Sequence, residues 1–313
     1  MNYIIFDLEW NQASDDSDPQ KRVIPFEIIE IGAVKLNSSK IQVDQFSELV
    51  KPQIYTKLHY VTKKFLHLKI EAFKNEGTFV EIMSKFLTWC GQDYIFCTWG
   101  ALDLLELQRN MKYYKMSLLS KGPLKYLDIQ KLFSLAFEDG KSRRTLEYAV
   151  VFLDIKKEIP FHRAYSDAYY TAKVFSKIQN TEIEKKYSYD VFVPPQTKKD
   201  EIKVVFDSYA KYISREFEDR NEALSDKEVI STKCYYCHKN IKKKLRWFSI
   251  NGKHYISLSY CDIHGPMKSK IRLKKSETDK IYVIKTSKFI LESDANELIE
   301  KYNRYKKMKS HQS

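Results

Sequence analysis

The sequence predicts an α/β protein: one mixed sheet covered by helices, followed by a small second unit. Three observations lead there. Short β-branched runs cluster before residue 50, and amphipathic helical patterns then alternate with strand up to about residue 180. A linker signature follows, with Pro194, Pro195, Lys198 and Lys199 close together. Beyond residue 231 the composition turns strongly basic. The 313 residues suit two domains of about 150 residues each. We therefore divide the chain into 1–180, a linker over 181–230, and a second domain over 231–313.

Residues 3–8 read as a strand, and EIIEIGAVKL at 27–36 as a second, for its β-branched content. KIQVDQFSELV at 40–50 alternates well enough for a third, joined through Asn37, Ser38 and Ser39 as a hairpin or meander. Residues 56–90 are mostly helical, and VEIMSKFLTWC at 80–90 places its apolar residues at helical spacing. YIFCTW at 94–99 is a short buried strand; Gly100 ends it and a helix begins near 101. Helices are predicted at 127–137, 146–153 and 162–179, the last with Ala164, Ala168 and Ala172 as good helix formers. EIKVVFDSYAKYISREFEDR at 201–220 reads as an amphipathic connector helix. The polar loop 11–24, acidic at 15–18, is a candidate lid.

Composition excludes several classes. Hydrophobic residues make up 43%, with 22 Tyr and 18 Phe, which argues against disorder. No apolar run approaches the roughly 18 residues of a membrane span. MNYIIFDLEW has neither a basic n-region nor a signal-peptide core. Without a signal peptide, five cysteines are expected as reduced thiols or metal ligands. These features predict a cytoplasmic protein with no membrane partner. The net charge is +13, and residues 231–290 hold fifteen basic side chains against three acidic ones. Such a concentration is the footprint of a polyanion, most simply nucleic acid.

IIFDLEW places Asp7 and Glu9 inside an otherwise apolar strand. Residues i and i+2 share a face, so the two carboxylates project together, about 7 Å apart along the strand. Burying such charges costs several kcal/mol unless something binds them. A hard cation such as Mg²⁺ or Mn²⁺ takes oxygen ligands of this kind. Asp103 lies just after the strand at 94–99, at a strand's carboxyl end, where open α/β sheets place their sites. Asp167 lies in HRAYSDA with His162 five residues earlier, a spacing that brings both toward one end of the site.

Farther along, Cys234-x2-Cys237 and Cys261-x2-His264 bracket an Asn251-Gly252 turn flanked by β-rich residues. Two such knuckles around a hairpin describe a zinc ribbon, and four protein ligands leave no open position, so the Zn²⁺ is structural. A unit this small is expected to lack a core of its own and to take its stability from the metal. Lys242, Lys243, Lys244, Arg246, Lys268, Lys270, Arg272, Lys274 and Lys275 are interleaved with Trp247, Phe248, Tyr255 and Tyr260. Cations and aromatic faces together suit single-stranded nucleic acid, with Lys243, Arg246 and Trp247 as candidate contacts. Docking of a protein by the ribbon is the other reading. Cys90 and Cys97 sit in apolar surroundings as inert core thiols.

The order FDLEW, TWGALD, HRAYSDA resembles the three motifs of the DEDD superfamily, the DnaQ-like or RNase T-like 3′→5′ exonucleases. Histidine five residues before the last aspartate matches the DEDDh branch; the other branch would have Tyr where this chain has Arg163. PFEIIEIGAV at 25–34 resembles the second strand of these enzymes, and the wording is most similar to the KapD-type and ERI-type exonucleases of RNA ends. One departure is HYVTKKFLHLKIEA at 59–72, which lacks the Leu-Thr-Gly-Ile often found there. Over residues 1–180 the resemblance implies a ribonuclease H-like mixed sheet flanked by helices. It implies that Asp7, Glu9, Asp103 and Asp167 hold two Mg²⁺ or Mn²⁺ ions, with Asp7 bridging both. One ion would prepare the attacking water and the other would stabilise the leaving 3′-oxygen. His162 would be the general base, and Leu8, Trp10 and Phe26 would contact the terminal bases. The implied substrate is single-stranded nucleic acid, RNA rather than DNA, and the implied products are nucleoside 5′-monophosphates. Two alternatives stand beside it: a DNA-directed 3′→5′ exonuclease, and a catalytically silent nucleic-acid-binding adaptor. The intact set of five polar residues weighs against the second.

Overall fold

In the computed structural model, β1 (Asn2–Asn11) lies near the middle of a six-stranded sheet and carries the paired acids. The structure describes residues 1–13, 24–66, 68–249 and 251–310, so the candidate lid at 11–24 falls largely outside the described residues. The chain divides into two units, Met1–Asp190 and Val191–Ser313.

In the first unit, β2 (Glu27–Leu36) and β3 (Gln42–Leu49) form the predicted antiparallel meander with β1. α1 (Tyr60–Leu66), a 3₁₀ turn at Ile70–Phe73 and α2 (Phe79–Cys90) follow. A capping box between Thr78 and Glu81 starts α2. β4 (Tyr94–Thr98), α3 (Leu102–Tyr113), β5 (Leu124–Asp128), α4 (Ile129–Phe137) and α5 (Leu146–Phe152) come next. α6 (Ala164–Lys177), α7 (Thr181–Glu184) and β6 (Ser188–Asp190) complete the unit. The strand order is β3-β2-β1-β4-β5-β6, with β4 parallel to β1 and β5 parallel to β4.

Both faces of the sheet are covered. Ile4, Phe6 and Leu8 pack with Met83 and Phe86 of α2 and with Leu104 and Leu107 of α3. On the opposite face Ile5 and Val34 pack with Phe133 of α4 and with Val174 and Phe175 of α6. Gly32 lets α6 approach the sheet closely: a Cβ there would lie 2.0 Å from the Tyr165 nitrogen and 2.1 Å from the Ala164 carbonyl carbon. Gly32 pairs with Asp7, so this contact brings the start of α6 against the acids of β1.

The second unit differs from the sequence reading. Residues 201–220 form no connector helix. They fold as the hairpin β7 (Ile202–Phe206) and β8 (Tyr209–Ile213) and a following loop. Their β-branched and aromatic residues serve strand pairing with a segment about 70 residues away, which local periodicity does not register. α8 (Arg220–Ser225), β9 (Lys242–Phe248), β10 (His254–Cys261), β11 (Gly265–Lys275), β12 (Ile281–Phe289) and α9 (Glu292–Ser310) follow. The sheet is antiparallel in the order β7-β8-β12-β11-β10-β9. Nor is the unit coreless. Tyr212, Phe217, Val229, Ile271 and Val283 fill one face, and Leu245 and Leu258 pack under Ala295 and Leu298 of α9 on the other. Among the described residues, no helix is long and apolar enough to cross a membrane.

Candidate active site

Strand alternation sets Asp7 and Glu9 on the α6 side of β1, and Asp167 enters from the first turn of α6. Carboxylate oxygens of the three lie within 4.8 Å of one another. Asp103, buried in the first turn of α3, accepts N–H groups from Leu8 and from its own main chain. After burial itself, Asp103 is the largest influence on Asp7.

These acids raise one another's pKa. Burial pushes Asp7 well above the carboxylate range, with Asp103, Asp167, Glu9 and Glu30 adding repulsion. Glu9 rises to about 8, through burial and then Asp167, Glu30 and Asp103, with Arg163 opposing. Burial lifts Asp103 to about 7 against its two N–H donors. Burial also lifts Asp167 to about 6, while the His162 charge and main-chain N–H pull it back. One carboxylate oxygen of Asp167, Oδ1, is buried with no hydrogen-bond partner among the described residues. A buried, unsatisfied oxygen within a knot of repelling carboxylates fits a divalent cation, whose charge would relieve both.

His162 is exposed and adopts φ 66° just ahead of Arg163, the N-cap of α6. For a non-glycine residue this left-handed conformation costs roughly 1–3 kcal/mol, a strain often found at functional sites. Here it aims the His162 N–H at Asp167. His162 also lines a cleft of about 200 Å³ with Glu9, Trp10, Gln12, Val61, Thr62 and Leu66.

Sequence reasoning missed the supports of this cleft. Glu30, 1% exposed, is gripped by Arg163 through Nε at 3.0 and 3.1 Å and Nη2 at 2.9 Å. Asn11 donates to the carbonyls of Tyr55 (3.2 Å) and Lys57 (3.0 Å) and accepts from the His59 N–H (2.8 Å). Glu27 accepts N–H groups from Gln53, Ile54 and Tyr55. The Thr62 hydroxyl donates to the Trp10 carbonyl. Together these bonds fix the segment leading into α1. The one visible signal was a polar residue inside an apolar strand, at Asn11, Glu27 and Glu30.

The apolar candidates separate. Leu8 is 3% exposed within the core, so its side chain does not reach the cleft; it contributes its main-chain N–H to Asp103 instead. Trp10 lines the cleft and packs on Phe26, ring centroids 5.1 Å apart. The β1–β2 register shifts between Glu9 and Trp10 and skips Ile29 of β2.

In the second unit, Cys234, Cys237, Cys261 and His264 converge, with ligand atoms all within 4.8 Å. Cys237 Sγ lies 3.7 Å from Cys261 Sγ, and His264 Nδ1 lies 3.4 Å from Cys234 Sγ and 3.5 Å from Cys261 Sγ. Four ligands about 2.1–2.3 Å from a central Zn²⁺ form a tetrahedron with edges of about 3.5–3.8 Å, so the set fits that ion. Against the upward push of desolvation, N–H groups of Ile263 and His264 help draw the Cys261 thiol down to about 6, toward the thiolate a metal needs. The predicted hairpin between the knuckles is β9–β10. Lys243 and Arg246 are exposed on β9. Trp247 is half-buried against the core and donates Nε1–H to the Ile230 carbonyl at 2.9 Å.

The sheet order and the acids at its centre define a class, the exonucleases built on a ribonuclease H-like fold. The chain belongs to the RNase T exonuclease family, whose model matches residues 4–175. The solved nuclease domain of 3′hExo, a DEDDh family member bound to rAMP, shares the fold. It aligns with a TM-score of 0.51 and 19% identity over 60% of this chain and 96% of that one. Cell-death related nuclease 4 aligns at TM-score 0.48 and 15% identity, over 76% of this chain and 87% of that one. A PolC-type DNA polymerase III from Caldanaerobacter subterraneus subsp. tengcongensis is 29% identical over 176 residues, 56% of this chain. The match spans 11% of that polymerase.

Proposed function

We propose that this protein is a metal-dependent 3′→5′ exonuclease that shortens single-stranded nucleic acid, RNA in preference to DNA, releasing nucleoside 5′-monophosphates. The observation that carries the reading is the group of mutually repelling carboxylates with the unsatisfied Asp167 oxygen. Asp7, Glu9, Asp103 and Asp167 would hold two Mg²⁺ or Mn²⁺ ions. Such ions, when bound, neutralise charge on a phosphate under attack and lower the pKa of water. His162, at the mouth of the cleft, would take the proton from the attacking water. Trp10, backed by Phe26, would offer a stacking face worth roughly 1–3 kcal/mol per base. Cys234, Cys237, Cys261 and His264 would hold one structural Zn²⁺.

The RNA preference draws on the likeness of DLEWNQ and PFEIIEIGAV to exonucleases of RNA ends. A DNA-directed reading draws on the 29% identity to a segment of a DNA polymerase. Two 5′-labelled single strands of identical sequence, one RNA and one DNA, test both. We expect a ladder of 3′-shortened products with Mn²⁺, absent with EDTA and absent for Asp7→Ala, and faster on RNA. A faster DNA ladder would reverse the preference. No ladder on either strand would overturn the enzyme reading and leave the silent adaptor.

A further inference from the structure

β11 carries Lys268, Lys270, Arg272 and Lys274 at alternate positions, so all four project from one face of the second sheet. The intervening Met267, Ser269 and Ile271 are buried on the other face. Successive cations are about 7 Å apart along the strand. Some cations of this unit find acids: Lys203 with Glu228, Arg215 with Glu201 and Asp226, Lys275 with Asp279, Lys280 with Glu218. Among the described residues, none of the four on this face of β11 forms such a pair. Instead they crowd one another. Lys268 is depressed by burial and then by Lys288 and Lys301, with Asp294 and Glu297 of α9 opposing. Lys270 is depressed by burial and then by Arg272 and Lys268.

The lane has flanks. Lys288 and Thr286 of β12 lie opposite Lys268 and Lys270, and His254 of β10 lies opposite Arg272. α9 covers the same face over β9 and β10, through Ala295 and Leu298 on Leu245 and Leu258, and reaches β11 beside Lys268, so the lane is open from Lys270 to Lys274. A folded protein that leaves a row of like charges without a salt-bridge partner has a ready-made seat for a regularly spaced polyanion.

We infer that this lane holds the sugar–phosphate backbone of a single nucleic-acid strand. A strand supplies one negative charge per nucleotide in a linear series, at a spacing comparable with alternate residues of an extended β-strand. An acidic protein surface has no such repeat. The lane lies on β11, apart from the sequence-predicted contacts Lys243, Arg246 and Trp247 of β9. The assignment rests on the reading that the partner is nucleic acid.

Binding of a labelled 20-nucleotide RNA to the full chain, in the Asp7→Ala background without chelator, tests it at several salt concentrations. Hydrolysis then takes no part, and the outcome is separable from that of the ladder assay. Lys270→Gln/Arg272→Gln is compared with Lys243→Gln/Arg246→Gln, which removes the same charge. We expect the slope of log K against log salt to fall by about 1.4 for the first pair, two contacts at about 0.7 each. The second pair should lose less than half of that. Arg272→Gln alone, at an exposed position, keeps the test open if the double variant misfolds, with an expected loss of about 0.7. Equal losses for the two pairs, or no loss for the first, would overturn the lane. So would a poly-glutamate peptide bound through it as tightly as the RNA, which would assign it to an acidic protein.

Discussion

Asp7, Glu9 and Asp167, half-buried, and the buried Asp103 stand beside one another, and their elevated pKa values have a consequence in pH. The folded protein holds protons on Glu9 to about 8, on Asp103 to about 7 and on Asp167 to about 6. The unfolded chain releases them near 4. Between those limits the folded state binds more protons, so stability falls as pH rises. We expect the melting temperature of protein free of added metal to drop between pH 5 and 8. Mn²⁺ should remove the drop, because the cation replaces the protons. Asp7→Asn should also flatten it, while lowering Mn²⁺-dependent hydrolysis by at least a hundredfold. A melting temperature that rises over this range would contradict the electrostatics described. His162→Gln should lower hydrolysis by about 10²–10⁴ while preserving the Mn²⁺-induced rise in melting temperature. Loss of that rise would make His162 a determinant of metal binding instead. At this scale the sequence was readable where chemistry restricts residue type. Acids inside an apolar strand, and a histidine at fixed distance from the last of them, stand out without coordinates. Leu8 did not separate from Trp10, because an apolar residue beside a site and one in the core look alike in sequence. Glu30 and Arg163 were illegible as a pair, being 133 positions apart.

Among elements, the approach of α6 to β2 decides whether Asp167 meets Asp7 and Glu9. Gly32 permits it, and the atoms a new Cβ would meet are backbone, which cannot rotate away. Overpacking usually costs about 1–3 kcal/mol, more where backbone must shift. Gly32→Ala should therefore lower the melting temperature by several degrees and hydrolysis by at least tenfold. Gly122→Ala, with nothing within 4 Å of its Cβ position, should change neither. Equal behaviour of the two variants would remove Gly32 from this role. The meander β1–β2–β3 was legible because its strands pair with sequence neighbours, and the helices of the first unit because their apolar spacing is local even where their packing is distant. Residues 201–220 were not, since β8 completes its pairing only with β12. A lone amphipathic segment fits helix or strand until its partner is known.

The whole molecule holds two sheets with separate cores, and this changes what the metal cluster of the second unit is for. A coreless ribbon would unfold without zinc. Here the ligands tie the turn before β9 to the β10–β11 turn, and β9 is the edge strand of a sheet that packs on both faces. The metal should therefore hold the β9–β10 margin while the β7-β8-β12-β11 portion rests on Tyr212, Phe217, Ile271 and Val283. Cys237→Ser in the full chain separates these possibilities by amide hydrogen exchange. Exchange should accelerate at least tenfold in β9 and in the turn at 234–237. Protection in β8, β12 and the first unit should stay within a few-fold of the parent. If the strands of the second sheet all lost protection together, its apolar core would be insufficient alone, and zinc would sustain the unit after all. Local loss confined to the edge would instead show that the lane on β11 outlasts the metal, so RNA affinity should fall far less in Cys237→Ser than in Lys270→Gln/Arg272→Gln.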